Sequence, residues 1–320
     1  SQPRAEPGRA TALKRRFSST SVFEFERRFP DEEACLRHVS HARFGDPPAC
    51  PRCGTDAKLS GYKRPHQLYC RRCQSVISTR AHTAFAASII PLKTWFYLLL
   101  MCANRTTGLS TTFVRRHLGF HPQNAFRVLS MVRAHMAALM PPRLMGTDGS
   151  YVQIDETWLP GIKETSAPAV DGVIVFGLYD ARGVQTFLVP DRSRRTLLPI
   201  IERLVPPGAT IVSDQFKSYD VLASRGYNHI RLNHSRGEWV NADGYSMLGI
   251  EGYWANLKYY MRSNNRHPKE GNLPGYLAEH AFRYNARKRG LCPFEAAIGS
   301  FPAIDRTTLS RSARRILAAP

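Results

Sequence analysis

Four cysteines and three acids are the residues of this chain whose types and spacing can do chemistry. Cys50-Pro-Arg-Cys53 is followed, sixteen residues later, by Cys70-Arg-Arg-Cys73. Two residues between paired thiols make a tight turn that points both sulfurs at one metal. Four thiolates at tetrahedral angles suit zinc, with Zn–S bonds of about 2.3 Å and no open coordination position. One structural zinc per chain is therefore expected, folding a segment too small for its own core; a redox pair or an iron centre are the rival uses. The remaining cysteines of the seven, Cys35, Cys102 and Cys292, are scattered. That is no secreted disulfide framework and fits a reducing compartment.

Asp155 lies within Tyr151-Val-Gln-Ile-Asp-Glu-Thr-Trp158, Asp214 directly follows Ile211-Val-Ser213, and Glu251 lies in Gly249-Ile-Glu-Gly-Tyr-Trp254. Between them stand 58 and 36 residues. Two carboxylates at adjacent strand ends, with a third on a facing helix, can hold two divalent cations about 3.5–4 Å apart. Oxygen donors select magnesium or manganese over zinc. The matching chemistry is in-line displacement at phosphorus, with water or a 3′-hydroxyl attacking. Asp180, Asp191, Glu156 and Asp243 are acids of the same kind and so are competing candidates. Glu156 alternates with Asp155 along a strand and should point to the opposite face.

The positioning elements are readable as pattern. Phe23 to Val39 reads as one short helix with Pro30-Asp31 as its opening and Cys35, Leu36 and Val39 inward. His66–Tyr69 and Ser75–Thr79 read as strands around the cysteines. Leu92, Trp95, Phe96, Leu99 and Leu100 recur at helical spacing after Pro91. Ser110 can cap a second helix that Gly119 ends, and Pro122 opens a third. Two helices around a glycine turn, carrying Arg115, Arg116, Arg127 and Arg133, form a helix-turn-helix pattern. Beyond Pro141-Pro142 the texture changes to strands. Tyr151–Trp158 is one; Val173–Tyr179 and Val184–Val189 form a hairpin. Helix Arg194–Leu204, strand Thr210–Ser213, helix Tyr219–Ser224 and strand His229–Leu232 follow. Helices from Gly249 and over Leu273–Asn285 come last. The fold class is thus α/β.

With 320 residues and 43% hydrophobic content, the chain can bury one large core or two modest ones, which excludes a disordered tail protein. Its 45 Lys and Arg against 25 Asp and Glu give a net charge of +20. Such an excess calls for a polyanionic partner, and nucleic acid is the usual one. Residues 50–150 hold fourteen of the basic residues and only Asp56 and Asp148, so the charge concentrates on the cysteine and helical segments. Arg52, Lys63, Arg64, Arg71, Arg72, Arg115, Arg116 and Arg127 are the expected phosphate contacts. The longest apolar run, Trp95–Ala103, is nine residues, short of the roughly 20 that span a bilayer. No membrane partner and no signal peptide are expected.

Further motifs carry a resemblance. Ile250-Glu-x-Tyr-Trp254-x-x-x-Lys258, preceded by His234-Ser-x-Gly-Glu238 and followed by Glu279-x-Ala-Phe-Arg-Tyr-Asn285, resembles the insertion sequence fifteen-ninety-five family of bacterial transposases, relatives of the Merlin DNA transposons of eukaryotes. The four-cysteine ribbon and Pro-Leu-x-x-Trp-Phe at 91–96 resemble its front, so the likeness spans roughly 35–290. It implies an RNase H-like mixed sheet flanked by helices, with Asp155, Asp214 and Glu251 as a DDE-type triad and Lys258 as its following lysine. Many relatives carry Asn three residues before the Glu; here Leu248 stands there and cannot bind metal, which favours Glu251 as the third ligand. Lys258 and Arg262 would touch DNA phosphate. For Trp254, core packing is favoured over stacking on a base.

The expected organisation is a flexible basic tail (1–22), a short helical segment (23–49), a zinc ribbon (50–85), a helix-turn-helix domain (91–145), the catalytic domain (150–290) and a basic C-terminal tail (291–320). The expected function is a DNA transposase that binds terminal inverted repeats in double-stranded DNA, cuts at the element ends and joins the 3′-hydroxyls to target DNA. It would act as a homodimer or larger synaptic assembly. The expected place is the bacterial cytoplasm, with the nucleoid, or a eukaryotic nucleus. The alternative is an inactive, transposase-derived DNA-binding regulator. A nuclease of RNA or of repair intermediates on the same scaffold is a third reading.

Overall fold

Phe29-Pro30-Asp31 splits the front of the chain into α1 (Val22–Arg28) and α2 (Glu32–Phe44), where one helix was expected. The Asp31 carboxylate accepts the Ala34 N–H at 2.8 Å and starts the second helix. The computed structural model describes residues 19–61, 63–86, 88–163, 171–233, 240–264, 268 and 270–304. The basic cluster Lys14-Arg15-Arg16 and the motif residue His234 lie outside them.

A small antiparallel sheet follows, in the order β1 (Ala49–Cys50), β2 (Gly54–Gly61), β3 (Gln67–Cys70) and β4 (Val76–Ser78). The last two match the expected strands. Then come α3 (Leu92–Asn104), α4 (Thr111–Leu118) and α5 (Pro122–Ala138). Ser110 Oγ accepts the Phe113 N–H at 3.1 Å, and Gly119 takes the left-handed conformation (φ 69°) that ends α4. The Glu32 carboxylate accepts the N–H groups of Leu92 (2.9 Å) and Lys93 (3.0 Å), placing a negative charge at the α3 N-terminus.

The second body is a five-stranded mixed sheet, β7-β6-β5-β8-β9. The strands β5 (Val152–Lys163), β6 (Asp171–Asp180) and β7 (Gly183–Val189) form an antiparallel meander. Crossing over through α6 (Arg194–Leu204), the chain adds β8 (Thr210–Ser213) and β9 (Asn228–Arg231) parallel to β5. This is an RNase H-like sheet. The helix expected at Tyr219–Ser224 is instead two short 3-10 turns, Lys217–Tyr219 and Ala223–Arg225. Two helices finish the domain, α7 (Leu248–Asn264) and α8 (Leu273–Lys288). Along β5, Val152 and Ile154 join the core under α6, while Gln153 turns to the opposite face, toward α7. That period of two gives the sheet a core on each face.

The C-terminal stretch corrects an expectation. Residues 291–304, expected to open a basic C-terminal tail, form α9 (Pro293–Ile298) and fold back onto the front body. Phe294, Ala297, Ile298 and Phe301 enter the same core as Phe25, Phe29, Phe96 and Val132. Phe301 stacks on Phe96 with the rings 5.9 Å apart, and Arg28 pairs with Glu295 at 2.5 Å. Residues 291–304 carry no Lys or Arg, and burial of their aromatics holds them on the core. Residues 305–320 lie outside the described residues.

Candidate active site and metal centre

Consecutive strand register brings the first two acids together. Val152 pairs with Ile211 and Gln153 with Val212 across the parallel β5–β8 ladder. Continued two residues further, the register sets Asp214 level with Asp155. The third acid comes from α7, whose first turn is fixed to β5 by Gln153 Oε1 accepting the Ile250 N–H at 2.8 Å. Gly249 permits this approach: a Cβ there would stand 2.2 Å from the Tyr179 ring. Glu251 lies in that same first turn.

Asp155 is strongly perturbed. Burial, with added repulsion from Asp214 and Glu251, pushes its carboxyl up to about 6. The Trp254 indole opposes this, its Nε1–H donating to Asp155 Oδ2 at 3.0 Å. Gly177 of β6 makes room for that ring, since a Cβ there would stand 2.6 Å from it. Pattern reading placed Trp254 correctly in the core, at 4% exposure, but missed its bond to the acid. The i, i+3 spacing of Glu251 and Trp254 was the available signal, because it puts both on one helix face.

Glu156 points to the other face of β5, as alternation requires, but it is not free of the site. Burial and the charges of Asp155 and Asp214 push it up to about 7, and its Oε1 is buried without a hydrogen-bond partner. Two of the rival acids have structural roles. Asp180 is 1% exposed, pairs with Arg143 and accepts the N–H groups of Arg182 and Gly183 in the β6–β7 turn. Asp191 accepts from Ser193 and Thr196 ahead of α6. Asp243 lies in a turn, its N–H bonded to Asn241.

Among the described residues, the thiols of Cys50, Cys53, Cys70 and Cys73 are the group whose ligand atoms all lie within 4.8 Å of one another. Sulfur separations are 3.7 Å for Cys50–Cys73 and 3.6 Å for Cys53–Cys70. A tetrahedron with 2.3 Å Zn–S bonds has edges of about 3.8 Å, so these cysteines fit zinc. Hydrogen bonds from Ser75 pull the Cys73 thiol down to about 6, toward the thiolate a metal needs. The three carboxylates stand further apart than the thiols do, yet Asp155 feels the charges of Asp214 and Glu251. A desolvated carboxylate beside two further acids is a set of oxygen donors that magnesium or manganese would suit.

Around these centres, Arg52, Lys63, Arg64, Arg71, Arg72, Arg115, Arg116, Arg127 and Arg262 are exposed and Lys258 is half-exposed. Arg52 also donates to Ser75 Oγ at 3.0 Å. Arg133, grouped by pattern with the helix-turn-helix arginines, is instead 4% exposed and pairs with Glu279 of α8 at 2.9 Å. Arg283 donates to the carbonyls of Cys102 (3.2 Å) and Arg105 (2.5 Å), and Asn285 brackets the backbone of Val184 on edge strand β7. The motif running from Glu279 to Asn285 therefore bolts the helical body to the sheet.

Two family models, a curated relative and a solved structure match the chain. Residues 145–285 match the ISXO2-like transposase domain, and residues 30–76 match the transposase zinc-ribbon domain. An uncharacterised transposase-like protein of Haemophilus influenzae is 37% identical over 102 residues, which is 32% of this chain and 80% of that protein. A crystal structure of a pre-cleavage Mos1 transpososome aligns over 66% of this chain and 74% of that one, at 11% identity and a TM-score of 0.27. The chain belongs to the ISXO2-like transposase family. Among its described residues, no helix is long and apolar enough to cross a membrane.

Proposed function

We propose that this transposase-family chain is an active DDE-type enzyme that cuts DNA at the ends of a mobile element and joins the 3′-hydroxyls to target DNA. The observation that supports the reading is that buried Asp155 feels the charges of Asp214 and Glu251, the first at the end of an adjacent strand and the second on a facing helix. These three carboxylates would hold two magnesium or manganese ions. Bound there, such ions lower the pKa of an attacking hydroxyl and offset charge on the leaving oxygen. The protein's own part is positioning. Trp254 holds the Asp155 carboxylate, and Gln153 and Gly249 fix the helix that presents Glu251. Lys258, two turns after Glu251, would hold a phosphate beside the one attacked.

The zinc ribbon and the α4–α5 pair, acting as a helix-turn-helix, would grip the terminal repeats through Arg52, Lys63, Arg64, Arg71, Arg72, Arg115, Arg116 and Arg127. Coordinated cutting of two ends calls for two copies. The test is strand transfer by the full chain on end-containing DNA with magnesium, for wild type and for Asp155→Ala, Asp214→Ala and Glu251→Ala. Each variant should lose activity roughly hundredfold or more while still binding DNA. Retained activity removes that residue from the triad. DNA binding by the wild type without magnesium-dependent cleavage favours the regulator instead. Cleavage of RNA, or of branched DNA without joining, favours the nuclease.

A further inference from the structure

The outer face of α7 has a feature that neither metal chemistry nor packing explains. Tyr259 is 61% exposed, on a helix whose other aromatics, Tyr253, Trp254 and Tyr260, are all buried. Arg262, three residues on, shares that face, and Lys258 borders it on the side toward Glu251. At a rise of about 1.5 Å per residue, it stands about 12 Å along the helix from Glu251. An exposed ring bordered by two cations suits a polyanion with flat, stackable faces. Gly252 supports the same conclusion. A glycine inside a helix is destabilising by about 1 kcal/mol relative to alanine, and here a Cβ would meet nothing within 4 Å. Packing demands glycine at 249 and not at 252. Beside Glu251, the helix backbone is left bare on the side a strand would approach.

We propose that this face of α7 is a track for a locally unpaired DNA strand, on which Tyr259 stacks a base while Lys258 and Arg262 hold the flanking phosphates. The inference rests on the transposase reading, which puts the scissile phosphate at Glu251. At about 3.4 Å per stacked nucleotide, the stacked base lies two to four nucleotides from the cut. Tyr259 is then a substrate-positioning residue that selects DNA able to unpair there. Duplex DNA offers no free base face, so the occupant is a single strand, not an intact helix.

The test uses the full chain and end-containing DNA with 2-aminopurine placed singly at each of the first four nucleotides on either side of the cut. Calcium replaces magnesium, so that binding is read without cleavage. A fluorescence change confined to a position two to four nucleotides away is expected. Tyr259→Phe should keep it and Tyr259→Ala should abolish it, with about fivefold or greater loss of affinity. No position-specific signal, or the same signal in Tyr259→Ala, overturns the proposal. Magnesium-dependent cleavage by the same wild-type preparation is scored separately. A chain that cleaves but shows no signal sinks only the track, whereas one that never cleaves sinks the transposase reading.

Discussion

The indole of Trp254 donates to the carboxylate of Asp155 across 3.0 Å, joining α7 to β5 at the acid cluster. It favours the charged form of a carboxyl that burial drives the other way. Trp254→Phe keeps most of the packing and removes the donor, so the Asp155 pKa should rise further. The acidic limb of a cleavage–pH profile should then move to higher pH, by up to about one unit, and more magnesium should be needed for half-maximal rate. An unmoved limb would mean that the bond does not tune Asp155.

Glu279 sits at 1% exposure beside Arg133 and Arg283, on the helix that joins both bodies. Removing one member of a buried ionic group strands the others. Glu279→Ala should cost about 3–5 kcal/mol, read as a lower denaturation midpoint. A loss below about 1 kcal/mol would show that the pair is not holding the bodies together.

His135 is buried and donates to the Ala297 carbonyl at 2.7 Å, with the donor tautomer assigned from that contact. Burial pushes its pKa down from 6.5 to about 4, so the fold keeps the ring neutral. The unfolded chain takes up its proton near pH 6.5. This stability is whole above that value and is lost as pH falls toward 4, by about 3 kcal/mol. Burial drives His280 the same way, to about 3. Denaturation midpoints measured from pH 7 to pH 4 should fall, and His135→Gln should flatten the slope. An equal slope in the variant would assign the acid sensitivity elsewhere.

The zinc ribbon should depend on its metal. Chelation at neutral pH should release one zinc per chain and lower DNA affinity. Because the sheet domain has its own cores, most of the circular dichroism signal should persist. Cys53→Ser should behave as the chelated protein does. Loss of the whole fold on chelation would show that the ribbon supports more than itself.

What was readable in the residues follows from the range of each interaction. The Ser110 cap and the Gly119 stop depend on neighbours a few residues away, so pattern located α4 to the residue. Alternation around Asp155 likewise put Glu156 on the other face. Separating Asp155 from Asp180, both strand-borne acids, required long-range facts. Asp180 is neutralised by Arg143, 37 residues back in the chain, while Asp155 meets Trp254, 99 residues ahead. Arg133 was grouped with the exposed arginines because its partner, Glu279, is 146 residues distant. The tail misreading has the same cause: basic residues outnumber acids after Arg283, and nothing nearby shows that Phe294 and Phe301 have aromatic partners near the front.

The return of α9 sets an order for biogenesis. Phe25, Phe29 and Phe96 emerge from the ribosome more than 190 residues before Phe294 and Phe301 arrive to cover them. The opening portion therefore waits, incompletely sealed, until the catalytic sheet has been translated. A nascent or prematurely terminated product would leave that aromatic surface bare and prone to capture by chaperones.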